Sequence, residues 1–228
     1  NQGIANANVA KSAAHHNLVV ASAGAKGVKV RLFDALFMQS ERPPHAYSRW
    51  SNPTLRALEE RLAVLEGGQS ALATATGMAA VHLVTQLVQP GETLVAANDC
   101  YGGCHRLFRS VAARGHYELC WTPLWETDTA VALIRERRPR MVWIETPSNP
   151  LLRVTDLRAV AVIARECGAL LAVDNTFASP MLTRPLELGA DIVMHSLTKF
   201  KGGHGTSIGG VLVDSGTFDW TSGKFPML

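Results

Sequence analysis

A chain of 228 residues, 47% hydrophobic and 18% charged, can bury one sizeable core, which excludes disorder throughout. Its formal charge of +3 comes from 22 Lys and Arg scattered among 19 acids without long runs, so no nucleic-acid partner is expected. No apolar run is long enough to cross a bilayer, so no membrane partner is expected either.

Residues 1–46 read as an N-terminal arm, poorly defined, rich in Ala, Asn and Val, with no acid before Asp34 and suited to packing on a partner subunit. Residues 47–228 read as one large domain. It opens on YSRWSNPT, where Tyr47 and Arg49 fall on a loop and an arginine can fork onto phosphate. A helix follows: Asn52 or Ser51 caps it, Pro53 suits its first turn, Leu55, Leu58, Leu62 and Leu65 share a face, and Gly67-Gly68 ends it. Thr74-Ala75-Thr76-Gly77-Met78 then leads into the apolar helix MAAVHLVTQLV. Glycine at a helix start lets backbone N–H groups approach a phosphate, and the helix dipole favours the anion. His82, inside that helix, reads as a packed core histidine.

From residue 90 strands and helices alternate: LVAA, a helix near 102–113, YELCWT, a helix near 127–137, MVWIE, a helix near 155–166, LLAV, and then DIVM. This succession predicts an α/β fold with a mostly parallel sheet covered by helices on both faces. Sites in such sheets gather at the carboxyl ends of the strands. Those ends carry Asp99 and Tyr101, Glu145 and Asn149, Asp174, and His195 to Lys199. Taken singly, Asn149 reads more simply as a turn residue and Glu145 as a strand end. The four cysteines, Cys100, Cys104, Cys120 and Cys167, lack zinc-ribbon spacing, so free thiols of a cytoplasmic protein are expected and no metal site.

Lys199 stands among Ser196, Thr198 and a run of glycines that fits neither common nucleotide loop. An amine at the end of a buried strand is disfavoured as a cation, which suits Schiff-base chemistry with a carbonyl cofactor. Pyridoxal 5'-phosphate (PLP) needs such an amine for its aldehyde and donors for its phosphate. Around its pyridine ring, Asp174 could pair with the nitrogen, Tyr101 could stack on the face and move protons, and Asn149 could donate to the ring hydroxyl.

With YSRWSNPT, ATGMAA, DCYGG, ETPSNPL, VDNTFASP and HSLTK in order, the chain resembles the Cys/Met-metabolism family of PLP-dependent enzymes over roughly residues 45–228. The resemblance implies the large, PLP-binding domain of the fold type I transferases. By residue, it implies that Lys199 carries the cofactor, Asp174 binds the pyridine nitrogen and Tyr101 stacks on the ring. Gly77, Met78, Ser196 and Thr198 would hold the phosphate, with Tyr47 and Arg49 reaching in from a neighbouring subunit. A homodimer or homotetramer with shared sites is implied.

The middle of the chain is similar to cystathionine gamma-synthase. The stretch from VDNTFASP through GGHGTSIGG to FDW is more like O-acetylhomoserine sulfhydrylase. Both imply gamma-replacement on an O-acylhomoserine by sulfide or cysteine, with gamma-elimination by a lyase as an alternative. Cys104 stands where the family usually has Ser or Thr. The chain ends at Leu228, before the place of the family's smaller C-terminal domain and its substrate-carboxylate arginine. A cofactor-binding module without turnover is therefore the expectation from a different class.

Overall fold

The computed structural model describes Ser48, residues 52–218 and Trp220; Tyr47, Arg49 and the N-terminal arm lie outside the described residues. The chain divides into two compact units, Asn1–Arg56 and Ala57–Leu228, and the second carries the sheet.

Helix α1 spans Pro53–Glu66. The Asn52 side chain accepts hydrogen bonds from the Thr54 N–H at 2.9 Å and the Leu55 N–H at 3.3 Å, satisfying donors that a helix start leaves free. Gly67, at φ +73°, ends the helix in a conformation that an L side chain rarely adopts. The expected leucine face does not turn inward as a whole. Leu62, Ala63 and Glu66 are buried, whereas Leu55, Leu58 and Leu65 are exposed, so the buried stripe and the leucine row share only Leu62.

Strand β1 (Ser70–Thr74) leads into α2 (Gly77–Thr85), followed by β2 (Thr93–Ala97), α3 (Gly102–Ala112), β3 (Glu118–Thr122), α4 (Thr127–Arg137) and β4 (Met141–Glu145). Then come α5 (Leu157–Cys167), β5 (Leu170–Asp174), the single turn α6 (Ser179–Leu182), a 3-10 turn at Pro185–Leu188, β6 (Ile192–Ser196) and β7 (Gly210–Asp214). The strands form one seven-stranded sheet in the order β1-β7-β6-β5-β4-β2-β3, flanked by helices. Every pairing is parallel except those of β7, which runs antiparallel to both β1 and β6. All residues of β4 and β5 are buried, as strands covered on both faces must be, and this is why they read as continuous apolar runs. Phe108 of α3 meets Trp143 of β4 edge-on, with ring centroids 5.4 Å apart.

Helix α2 stops at Thr85, short of the predicted LV at its end, and His82 is exposed rather than packed. Its ring hydrogen-bonds Gln86 Nε2 at 3.1 Å, so the histidine belongs to the outer face of α2.

Because β7 is reversed, its first residue arrives where β1 and β6 end, with Gly210 opposite both Thr74 and Ser196. A Cβ on Gly210 would lie 2.3 Å from the Thr76 carbonyl oxygen and 2.6 Å from Thr74 Oγ1. Only a bare backbone lets β7 pass under the turn that feeds α2. Gly210→Ala should therefore destabilise the chain by about 1–3 kcal/mol, read as a lower denaturant midpoint in urea.

Candidate active site

The carboxyl ends of β1, β4, β5 and β6, with the turn after β2, enclose a cavity of about 470 Å³. Gly77, Met78, Tyr101, Asn149, Asp174, Ser196, Thr198 and Lys199 all line it, so the sequence-predicted residues within the described chain are brought together. Thr76, Glu145, Thr176, Phe177, Met194 and Phe200 complete the lining.

One wall is the start of α2. The Thr76 hydroxyl caps it, accepting from the Ala79 N–H at 2.9 Å. Gly77 is buried against the end of β6: a Cβ there would lie 2.8 Å from Ser196 Cβ and 3.1 Å from Ser196 Cα. The helix start, where the Gly77 and Met78 N–H groups have no acceptor among the described residues, is thereby pressed onto the Ser196 hydroxyl region, a shape that suits an anion. Beyond it, the Ser196 N–H donates to Thr176 Oγ1 at 2.8 Å, and Thr198 Oγ1 accepts from the Gly209 N–H at 3.2 Å. Lys199 is exposed at the mouth beside Phe200, so the burial expected of an amine at a strand end is not supplied by the described residues.

The opposite wall is acidic. Asp174 closes β5 and Glu145 closes β4, and the two are register partners on adjacent parallel strands. Asp174 Oδ1 accepts from the Thr176 N–H at 3.0 Å. Glu145 accepts from the Tyr101 N–H at 2.5 Å and the Asn149 N–H at 3.2 Å, so one carboxylate ties down the loops that follow β2 and β4. The Tyr101 ring lies over Gly103, where a Cβ would be 2.5 Å from Tyr101 Cε1. This glycine leaves room for the ring at the cavity's edge. Sequence reasoning passed over Glu145 as a strand end; the available signal was a charged residue closing a strand that is otherwise wholly apolar.

Burial raises both carboxyls. That of Glu145 is pushed up to about 8 by burial and then by Asp174, against the two N–H groups it accepts from. That of Asp174 is raised by burial, against its hydrogen bonds with Thr176 and the attraction of His195. The Cys100 thiol is driven to about 12 by burial and then by Glu145, Asp99 and Asp174. Asp99 Oδ2 is buried with no hydrogen-bond partner among the described residues. Such a concentration of buried acid calls for a cation.

Residues 5–226 match the family model described as Cys/Met metabolism PLP-dependent enzyme. The chain belongs to the Cys/Met-metabolism family of PLP-dependent enzymes. It is 48% identical over 175 residues to cystathionine gamma-synthase of Escherichia coli, covering 76% of this chain and 45% of that protein. It is 45% identical over 184 residues to O-acetyl-L-homoserine sulfhydrylase 1 of Thermus thermophilus, covering 80% of this chain and 44% of that protein. Among solved structures, cystathionine gamma synthase from Xanthomonas oryzae pv. oryzae in complex with cystathionine superposes with a TM-score of 0.73 at 46% identity, over 78% of this chain and 45% of that one. The chain thus spans less than half the length of these relatives.

The residues present fit the family's cofactor. A pyridine nitrogen held protonated supplies the cation that Asp174 and its neighbours lack, and the Gly77–Ser196 cradle suits a phosphate.

A carboxyl raised in the folded state favours folding while it is protonated. The contribution of Glu145 is full below its ordinary value of 4.5 and is lost as pH rises through about 8. The denaturant midpoint of the cofactor-free chain should therefore fall across that window. Glu145→Gln should flatten the fall, while lowering stability at acid pH by about 1–3 kcal/mol because an amide cannot accept from both N–H groups.

Proposed function

We propose that this cavity holds PLP and that the protein replaces the gamma substituent of an O-acylhomoserine with a sulfur nucleophile, in the manner of O-acetylhomoserine sulfhydrylase. Asp174 faces the ring nitrogen, Tyr101 covers the ring and Asn149 donates to its hydroxyl. Gly77, Met78, Ser196 and Thr198 hold the phosphate, with Tyr47 and Arg49 of a neighbouring subunit in a homodimer or homotetramer. Bound there, the cofactor supplies an electron sink for a substrate carbanion. Lys199 would hold it until the substrate's own amine takes that place, and the freed Nζ would then take the proton from the substrate's alpha carbon; the acyl group would leave the gamma carbon as its carboxylate and sulfide would add there, with the proton returned to the product, homocysteine. The observation that carries this reading is the single cavity lined by both Lys199 and Asp174, in a chain whose family is PLP-dependent.

Family membership supports the coarser statement, replacement or elimination in cysteine and methionine metabolism. The GGHGTSIGG stretch and the following FDW favour the sulfhydrylase within it. Cystathionine gamma-synthase, with cysteine as nucleophile, is the alternative that the 48% identical relative supports, and a methionine gamma-lyase-like elimination is a further one. The free cysteines, Cys100 and Cys104 among them buried, fit a reducing cytoplasm.

Mixing the chain with PLP should give a visible absorbance that borohydride makes permanent, with the adduct mapped to Lys199; an adduct on another lysine rejects the assignment. Asp174→Ala should retain part of that absorbance while lowering turnover by roughly a hundredfold or more, and full activity would refute its role. Product analysis of acetyl- or succinyl-homoserine with sulfide or cysteine separates sulfhydrylase from synthase. Ketobutyrate and ammonia formed without any thiol would assign the lyase instead.

A further inference from the structure

One cluster of buried titratable groups lies outside the cavity and has no part in the chemistry above. Glu66 closes α1 with its side chain fully buried. Its Oε1 is shared by His195 Nε2, by Lys201 Nζ at 3.4 Å and by Asn175 Nδ2 at 3.5 Å. Burial alone would raise the Glu66 carboxyl, but the His195 hydrogen bond and the attraction of His195 and Lys201 outweigh it and hold it below the usual carboxylate range. The imidazole of His195 is pushed down by burial, against its hydrogen bond with Glu66, and its Nε2–H donates to the Glu66 carboxylate. Burial likewise lowers the Lys201 ammonium.

Each of these donors is a chain neighbour of a residue that lines the cavity. Asn175 follows Asp174, His195 precedes Ser196, and Lys201 stands two residues beyond Lys199. Alternate residues of a strand face opposite sides of a sheet, so His195 points away from the cavity that Met194 and Ser196 line. Asn175 also donates to the Thr183 carbonyl at 2.8 Å, fixing the chain just past β5. The cluster is an inefficient source of stability. Glu66 Oε2, His195 Nδ1 and Asn175 Oδ1 have no hydrogen-bond partner among the described residues, and incompletely satisfied buried charge is often matched or bettered by apolar packing.

We propose that Glu66 is a positioning residue. Its one carboxylate, reached from behind the cavity, fixes the end of β5, the end of β6 and the Lys199 turn relative to one another, so that Asp174, Ser196 and Lys199 meet a ligand already in place. The role toward the cofactor rests on the reading of the cavity given above; the ordering of the three segments does not.

Peptide-resolved amide hydrogen exchange of the cofactor-free chain, unsubstituted and as Glu66→Gln, separates the two. Exchange over 174–183 and 195–203 should quicken by about fivefold or more, with β4 at 141–145 held within about twofold. PLP affinity, read by absorbance titration, should weaken by roughly tenfold, and Glu66→Asp should restore part of it. Unchanged exchange in the two segments, or equal quickening in β4, would overturn the proposal, the latter by showing a purely structural role. Should Glu66→Gln fail to fold, Lys201→Met decides: quickening confined to 197–203 supports the role, and no change overturns it. An unsubstituted chain that takes up no PLP would count against the cofactor reading alone, because the exchange pattern still judges Glu66.

Discussion

Two carboxylates that cannot avoid each other set the terms for the rest of the molecule. Glu145 and Asp174 are register partners at the ends of β4 and β5, on strands whose other residues are all apolar and buried. Adjacent strands lie about 4.8 Å apart, and in-register neighbours share a face, so the two side chains must enter the same space. Burial disfavours both as anions and raises both carboxyls. Glu145 gains two N–H donors, one from each flanking loop, and Asp174 gains the Thr176 turn. The attraction of His195 reaches Asp174 from behind the sheet, yet burial still prevails and keeps its carboxyl raised. Two buried carboxyls side by side favour a cationic group between the strand ends.

The sheet topology turns this local tension into a site. Parallel strands deliver their carboxyl ends to one edge, and the reversed β7 starts there, closing the gap between β1 and β6. Gly77, Gly103 and Gly210 each stand where a side chain would strike a neighbour, and their absence of bulk lets α2, the Tyr101 ring and β7 approach closely. Behind the edge, the Glu66 cluster braces the same strand ends from the other face. Ser196 in front and His195 in the hub behind are two uses of one geometric fact, the alternation of side chains along β6.

Much of this could be read from the sequence, for physical reasons that differ by element. LVAA, MVWIE and LLAV are legible because strands covered on both faces carry no polar residue to blur the pattern. Lys199 is legible because Ser196, Thr198 and the glycines around it leave few other uses for that composition. By contrast, β1 and β7 pair across well over a hundred residues, and nothing local announces such a partnership. His82 and the leucines of α1 misled because helical periodicity gives the spacing of a face but not which face turns inward. Glu66 is hidden for the same reason: a glutamate before Gly67-Gly68 looks like the wet end of a helix, and only the folded chain reveals His195 and Lys201 against it.

The loop from Leu197 to Gly209 leaves the sheet and returns to it at one point, since Ser196 and Gly210 face each other across β6 and β7. The Leu197 N–H donates to the Gly209 carbonyl at 2.9 Å, so the excursion is pinched shut at its neck, with the lysine just inside. Residues farther out, toward His204 and Ile208, hang beyond that knot. The Gly203 N–H donates to the Lys199 carbonyl at 2.9 Å, so the lobe is anchored on the lysine's own backbone, and a change of length there would be felt at Lys199.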